Sequence, residues 1–330
     1  MTEDELIATL FAPLAGPGGF GLKDDAAIVP VGDGEELVTT VDALVAGVHF
    51  FHDDPPDAIA AKALGVNLSD LAAKAAAPAG FLLALALPAG WTEPWLAAFA
   101  QGLGAAAALH GCPLIGGDTV RTPGPLTLSV TAFGTVPRGR MLPRTGLRPG
   151  DALYVSGTIG DAALGLALRL DAMPELTMAL NAGLSPQARA FLQDRYLHPQ
   201  PRLALLPALR AQASAGMDVS DGLIGDLRKM LVASGVGGVV RLGDVPLSPA
   251  GREAVALDRR AWDMALTGGD DYELLIGVPA AGSADFHAAA ARSGVAVTRI
   301  GEVREPSQGV TFHDADGRPM AVVKGSFQHF

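Results

Sequence analysis

Six short segments, spread over about three quarters of the chain, set an aspartate beside small or hydroxyl-bearing residues: Asp24-Asp25, Thr39-Thr40-Val41-Asp42, Asn67-Leu68-Ser69-Asp70, Gly116-Gly117-Asp118, Asp218-Val219-Ser220-Asp221 and Gly268-Gly269-Asp270-Asp271. Carboxylates interleaved with hydroxyls and amides suit hard divalent cations such as Mg²⁺. Such ions take oxygen ligands, dehydrate reluctantly and are usually held by one or two carboxylates plus substrate phosphate oxygens. Paired glycines let backbone N–H groups approach a phosphate. Together the segments read as a polymetal phosphate site.

These acids need elements to deliver them, and several follow an apolar run (Leu37-Val38, Leu64 to Leu68, Leu114-Ile115, Leu266). Residues 2–12 predict a short helix, 36–41 a strand, and 57–76 a helix with Asp57 as N-cap, ended by Pro78. On that helix Asn67 and Asp70, at i and i+3, share a face. A buried strand over 80–87 and a helix opened by Thr92-Glu93-Pro94 follow. Residues 113–115 predict a short strand delivering Gly116-Gly117-Asp118 at its end, and 126–136 alternates as a strand. The Pro/Gly/Arg-rich segment 137–149 marks a boundary, giving domains of 1–146 and 147–330. Beyond it, strands at 151–155, 272–278, 295–300 and 310–312 mix with helices at 161–170, 186–197, 202–213, 223–233 and 284–292. This order favours two α+β domains over a Rossmann sheet. Gly16-Pro17-Gly18-Gly19-Phe20-Gly21 formally matches a dinucleotide fingerprint but neither follows a strand nor opens a helix, so it reads as a mobile loop.

Composition narrows the function classes. At 330 residues the chain exceeds one usual core, and 49% apolar against 18% charged residues excludes wholesale disorder. A net charge of −11 without a Lys/Arg cluster argues against a nucleic-acid partner, though not against nucleotides screened by Mg²⁺. The single cysteine, Cys112, can form no intramolecular disulfide and reads as a core residue in a reducing setting. The acidic N-terminus lacks a secretory pattern and no apolar stretch approaches the ~20 residues of a membrane span. The protein therefore reads as soluble and cytoplasmic.

Any single aspartate in a Gly-rich chain is more simply a cap or turn former, and Asp57 and Asp151 are read that way. The joint pattern favours site roles for Asp25, Asp42, Asp70, Asp118, Asp218 and Asp221. Asp24 and Asp271 fit bracing their neighbours equally well. His49, in Val48-His49-Phe50, is open between a hydrogen-bonded core histidine and a substrate contact. Arg144, in Pro143-Arg144-Thr145-Gly146, has the guanidinium geometry that suits phosphate oxygens. His52, His110 and His198 are left as ordinary residues.

Neither a P-loop nor the protein-kinase motifs are present, so a phosphoryl-transfer enzyme of this sequence would need another scaffold, in which carboxylate-held Mg²⁺ carries most of the electrostatic work. The segments 24–27, 39–50, 63–72, 115–119, 218–223 and 267–274 together, in order, resemble the thiamine-monophosphate kinases of the aminoimidazole-ribonucleotide-synthetase superfamily. The likeness runs from about residue 20 to the closing His329-Phe330. Single motifs are shared across the superfamily; Val48-His49-Phe50 and Gly268-Gly269-Asp270-Asp271-Tyr272-Glu273-Leu274 make the set specific.

The resemblance implies transfer of the γ-phosphoryl of ATP to thiamine monophosphate, giving thiamine diphosphate and ADP, with several Mg²⁺ ions. It implies that Asp25, Thr40, Asp42, Asp70, Asp118, Asp218 and Asp221 hold metal, with only the backbone carbonyl of Val41 contributing. Gly117, Asp118, Arg144 and Ser220 would contact ATP, and His49, Asp270 and Phe327 the thiamine monophosphate. An α+β fold is implied: an N-terminal domain whose mixed sheet pairs into a barrel-like homodimer core, and an α/β sandwich-like C-terminal domain completing the cleft. Three residues depart from the family pattern: Val41 stands for a threonine, Lys23 for a glycine, and Asp270 for a glutamate. Selenophosphate synthetases, hydrogenase-maturation enzymes and purine synthetases share the acids. The first two normally carry a terminal reactive cysteine or selenocysteine, which Cys112 does not match. A catalytically impaired nucleotide-binding regulator is the alternative from another class.

Overall fold

The computed structural model describes residues 2–170, 173–314 and 316–320. The chain divides into two compact units, Met1–Leu71 with Ala76–Met141, and Ala72–Ala75 with Leu142–Phe330.

The first unit runs α1 (Glu3–Leu6), β1 (Glu35–Val45), α2 (Pro56–Ala73), β2 (Ala77–Pro88), α3 (Glu93–His110), β3 (Leu114–Thr122) and β4 (Thr127–Pro137). Its mixed sheet has the order β1-β4-β2-β3, antiparallel except for the β2/β3 pair. Alternation decides the faces. Leu128, Val130, Ala132 and Val136 of β4 are fully buried, together with Leu83 and Leu85 of β2, while Leu37, Val41 and Val120 stand exposed on the other side. In α2 the apolar residues run all round the helix, and Ala60, Ala63, Leu64, Leu68 and Leu71 are all inaccessible to solvent. Asp57 lies inside its first turn rather than before it, where a negative charge still favours the helix. The helix ends at Ala73, short of Pro78, through a left-handed turn at Ala75 (φ 58°). In α3 the Thr92 hydroxyl accepts from the Trp95 N–H and Gly111 closes the other end in a left-handed conformation. Cys112 is buried, and burial pushes its thiol up to about 12, which fits an inert core residue.

The second unit contains β5 (Ala152–Ser156), α4 (Asp161–Ala167), α5 (Pro174–Gly183), α6 (Pro186–Leu197), α7 (Leu206–Gln212), β6 (Ala215–Val219), α8 (Leu223–Ala233), β7 (Gly237–Arg241), α9 (Pro249–Leu257), α10 (Arg260–Thr267), β8 (Glu273–Val278), α11 (Ser283–Arg292), β9 (Val297–Arg304), β10 (Val310–His313) and β11 (Pro319–Met320). Its sheet has the order β11-β10-β7-β9-β5-β8-β6. Strands β5, β6 and β8 are buried at every position, which explains their largely apolar composition, with Ser156, Asp218 and Glu273 the polar members. One core gathers Leu153, Val155, Leu227, Leu275 and Ile300; another joins α4, α5, α6, α9 and α10 around Leu164, Leu180 and Leu192. An α+β class with mixed sheets is what the sequence predicts. The expected helix over 202–213 is a 3₁₀ turn, Leu203–Leu205, followed by α7. No helix among the described residues is long and apolar enough to cross a membrane.

Candidate functional site

In the first unit the predicted residues form two groups. Thr40 and Asp42 alternate onto the helix-covered face of β1, where α2 presents Asn67 and Asp70. The Thr40 hydroxyl donates to Asp70 Oδ2 at 2.5 Å, and Asn67 Oδ1 accepts from the Asp42 N–H at 3.1 Å. Asn67 in turn donates to the Ala63 carbonyl at 3.0 Å, so the helix holds the strand by a side chain. Burial, and then the charge of Asp70, push the Asp42 carboxyl up to about 6. Two carboxylates, a hydroxyl and an amide make an all-oxygen set whose unrelieved repulsion a hard cation would neutralise. Val41 points the other way and is 62% exposed, so its side chain takes no part in this group. His49 closes a turn after β1: its Nδ1 accepts from the Val45 N–H at 3.0 Å, which puts the proton of the neutral ring on Nε2.

The other group lies across the sheet. Asp24, Asp25, Gly117, Asp118 and Thr119 line a cavity of about 580 Å³ between the N-terminal segment and the helix-free face of β2, β3 and β4. The glycine-rich segment is not the mobile loop its composition suggests. It forms 3₁₀ turns over Pro17–Leu22 and is stitched down by hydrogen bonds from Gly16 N–H to the Leu114 carbonyl and from Ile28 N–H to the Gly18 carbonyl. Nor do Gly116-Gly117-Asp118 follow a strand end; they lie inside the nine-residue β3. The reason is close approach. A Cβ at Gly117 would sit 2.0 Å from the Leu83 carbonyl oxygen, so glycine lets β3 pair with β2 there. Lys23 is exposed beside the acids.

Register separates the two groups. Asp42 aligns across the sheet with Val130, Leu83 and Gly117, whereas Asp118 aligns with Ala84, Ser129 and Ala43. Asp42 and Asp118 therefore point to opposite faces, from the two edge strands. Three strand spacings amount to about 14 Å. The sequence expected one shared cleft; among the described residues no group of three or more His, Cys, Asp or Glu side chains comes together to hold a metal. Any cation at Asp42 and Asp70 would need further oxygens from phosphate or water, which is how Mg²⁺ is usually held.

In the second unit Asp218, 7% exposed, is the penultimate residue of β6, and Ser220 and Asp221 form the turn into α8. Two residues that sequence reasoning missed organise this turn. Asp226, buried in the first turn of α8, accepts from the N–H groups of Ser220 (3.1 Å) and Asp221 (2.8 Å). Lys229 donates to Asp221 at 2.5 Å and to Asp226 at 3.0 Å. The i, i+3 spacing of Asp226 and Lys229 was the available signal. Asp270 docks on the same turn through its N–H to the Ser220 carbonyl (2.8 Å). Asp271 is a brace rather than a ligand: it is buried and accepts from the Gly160 N–H at 2.7 Å. Burial holds its carboxyl well above the ordinary range, with the Gly160 hydrogen bond pulling the other way. Arg144 is exposed, with its carbonyl accepting from the Ser234 hydroxyl. Phe327 lies outside the described residues.

Residues 23–136 match the AIR synthase related protein N-terminal domain and residues 148–314 the corresponding C-terminal domain. The thiamine-monophosphate kinase of Caulobacter vibrioides is 42% identical over 92% of this chain and 84% of its own length. That of Salmonella typhimurium is 42% identical over 94% of this chain and 91% of its own. Among solved structures, the thiamine-monophosphate kinase of Stenotrophomonas maltophilia superposes with a TM-score of 0.79 at 41% identity, covering 91% of each chain. AaThiL complexed with AMPPCP and TMP superposes with a TM-score of 0.76 at 29% identity, over 100% of this chain and 99% of that one. Hydrogenase-maturation HypE, at 22% identity, shares the fold. On this evidence of both domains and nearly the whole length, the chain belongs to the thiamine-monophosphate kinase family of AIR synthase related proteins.

Proposed function

We infer that this protein transfers the γ-phosphoryl group of ATP to thiamine monophosphate, forming thiamine diphosphate and ADP. The observation that carries this reading is the end-to-end match to AaThiL complexed with AMPPCP and TMP, with the acid segments built into defined elements. A cytoplasmic setting accords with ATP as co-substrate. Purified protein given ATP, Mg²⁺ and thiamine monophosphate is expected to release thiamine diphosphate and ADP in equal amounts. ATP binding without thiamine diphosphate would instead mark a regulatory relative.

The acceptor is already an anionic phosphate oxygen, so no general base is needed and the obstacle is repulsion between two anions. Mg²⁺, when bound, supplies charge neutralisation between the two phosphate groups. Its holders in this chain are Asp25, Thr40, the Val41 carbonyl, Asp42, Asp70, Asp118, Asp218 and Asp221. Gly117, Asp118, Arg144 and Ser220 bind ATP. His49, its tautomer fixed through Nδ1, offers an N–H donor to the substrate phosphate. Asp270 binds the thiamine side.

A left-handed backbone at Asp270 (φ 73°) supplies a reason for the departure from glutamate, since aspartate tolerates that conformation better. Asp270→Glu is expected to raise KM for thiamine monophosphate about three- to tenfold with kcat within about twofold. Unchanged KM in steady-state assays would remove Asp270 from the substrate site.

We further infer a homodimer that completes the metal site. Asp42 and Asp118 of one chain cannot share an ion from opposite faces and opposite edges of one sheet. The exposed apolar residues Leu37, Val41 and Val120 on the helix-free face favour a second copy there, whose Asp118 would have to pass the open edge of β1 to meet Asp42 on the helix-covered face.

A further inference from the structure

The turn that carries Asp270 is backbone-strained. Asp270 (φ 73°) and Tyr272 (φ 51°) are both left-handed without being glycine, a state that persists only where the surroundings impose it. Two hydrogen bonds, Asp270 N–H to the Ser220 carbonyl and Tyr272 N–H to the Val219 carbonyl, both 2.8 Å, tie the turn to the Ser220–Asp221 segment. They do not by themselves select the left-handed form. Burial alternates along the turn: Asp270 and Tyr272 are half-buried, while Asp271 (1% exposed) and Glu273 (0% exposed) turn inward.

The inward side chains are gripped from several elements. Asp271 accepts from the Gly160 N–H at 2.7 Å ahead of α4. The Glu273 carboxylate receives Ser156 Oγ at 2.6 Å from β5, Arg195 Nη2 at 3.0 Å from α6, and Arg202 through Nε at 2.7 Å and also through Nη2. Ser156 Oγ accepts in turn from the Leu274 N–H at 2.8 Å. There is no slack at this point, because a Cβ on Gly157 would lie 2.2 Å from Glu273 Oε1. Such a saturated buried carboxylate is a poor choice for stability alone, since an apolar cluster of the same volume does as well. It is a good choice for fixing one geometry.

We propose that Asp271 and Glu273, with Arg195 and Arg202, are positioning residues that lock the Gly268–Tyr272 turn in its strained form and so set where Asp270 meets thiamine monophosphate. The proposal rests on the kinase reading above and adds a determinant of acceptor affinity remote from the reacting phosphates. Arg202, partly exposed and one of two arginines on Glu273, is the member that can be removed with least damage.

Kinetics of Arg202→Ala test it. Expected are a KM for thiamine monophosphate raised about tenfold, a KM for ATP within about twofold of wild type, and partial recovery in Arg202→Lys. Ser156→Ala, removing one donor, gives a smaller rise in the same direction and serves if Arg202→Ala does not fold. Tyr272→Gly separates positioning from structure. Glycine accepts the left-handed conformation without strain, so in that background Arg202→Ala should change KM less than about threefold. An unchanged KM for thiamine monophosphate, an equal rise in both KM values, or the same tenfold rise in the Tyr272→Gly background would each overturn the proposal. Wild-type protein failing to form thiamine diphosphate would sink the kinase reading instead, so the two failures are distinguishable.

Discussion

Replacing Asp42 with asparagine is expected to lower kcat by about 10²- to 10³-fold while making the magnesium-free protein harder to melt. The two effects have one origin. Asp42 is partly buried beside Asp70, and its carboxyl is held at about 6, so at neutral pH the folded chain carries a charge it binds poorly. Asparagine keeps the shape and leaves the backbone hydrogen bond to Asn67 intact, but it removes the charge. We set the relief at about 1 kcal/mol after allowing for solvent access, which corresponds to a gain of about 2–4 °C in Tm. The sign follows from linkage. A carboxyl raised in the folded state binds its proton more tightly there, so the cost is full above about pH 6 and vanishes as pH falls below the ordinary value of 3.8. The Tm advantage of Asp42→Asn should therefore be present at pH 8 and fade toward pH 4. Melting curves with and without Mg²⁺ check the other half: wild type gains stability from the ion and the variant gains less. A variant that melts lower at pH 8, or keeps wild-type kcat, would contradict a strained metal-binding pair.

Much of this site was legible because it depends on short-range geometry. Thr40 and Asp42 two apart on a strand must share a face, and Asn67 and Asp70 three apart on a helix must share another; the hydrogen bonds from Thr40 to Asp70 and from Asp42 to Asn67 join those two faces. What the sequence withheld is tertiary. The order β1-β4-β2-β3 and the register that puts Asp42 in line with Gly117 rather than Asp118 arise from pairings between strands far apart in the chain. No local pattern encodes them. Helices α9 and α10 were missed for another reason: they are only nine and eight residues long, and the residues they bury are mostly small, Ala250, Gly251, Ala254, Ala261 and Ala265 beside Leu266. The bracing role of Asp271 was left open because an Asp-Asp pair looks alike whichever member turns inward.

The separation of Asp42 from Asp118 leads to a second large effect. If one ion is shared by Asp42 of one copy and Asp118 of the other, two inactive variants should rescue each other. Asp42→Asn and Asp118→Asn homodimers each lack a ligand at both sites. In a mixed dimer both substitutions fall on the same site, and the second site inherits Asp42 from one copy and Asp118 from the other, both unaltered. Random assortment makes half the dimers mixed, with one good site in two, so co-expressed variants should recover about a quarter of wild-type activity. Carrying different affinity tags on the two variants and purifying through both raises the expected value to about half, because every dimer is then mixed. If instead both acids served one site within a single chain, the mixed dimer would contain two damaged sites and stay as inactive as its parents. The recovery thus tests assembly and ligand sharing together, and size-exclusion chromatography of the same sample tells them apart: a dimer without recovery rejects the shared ion, and a monomer rejects the homodimer.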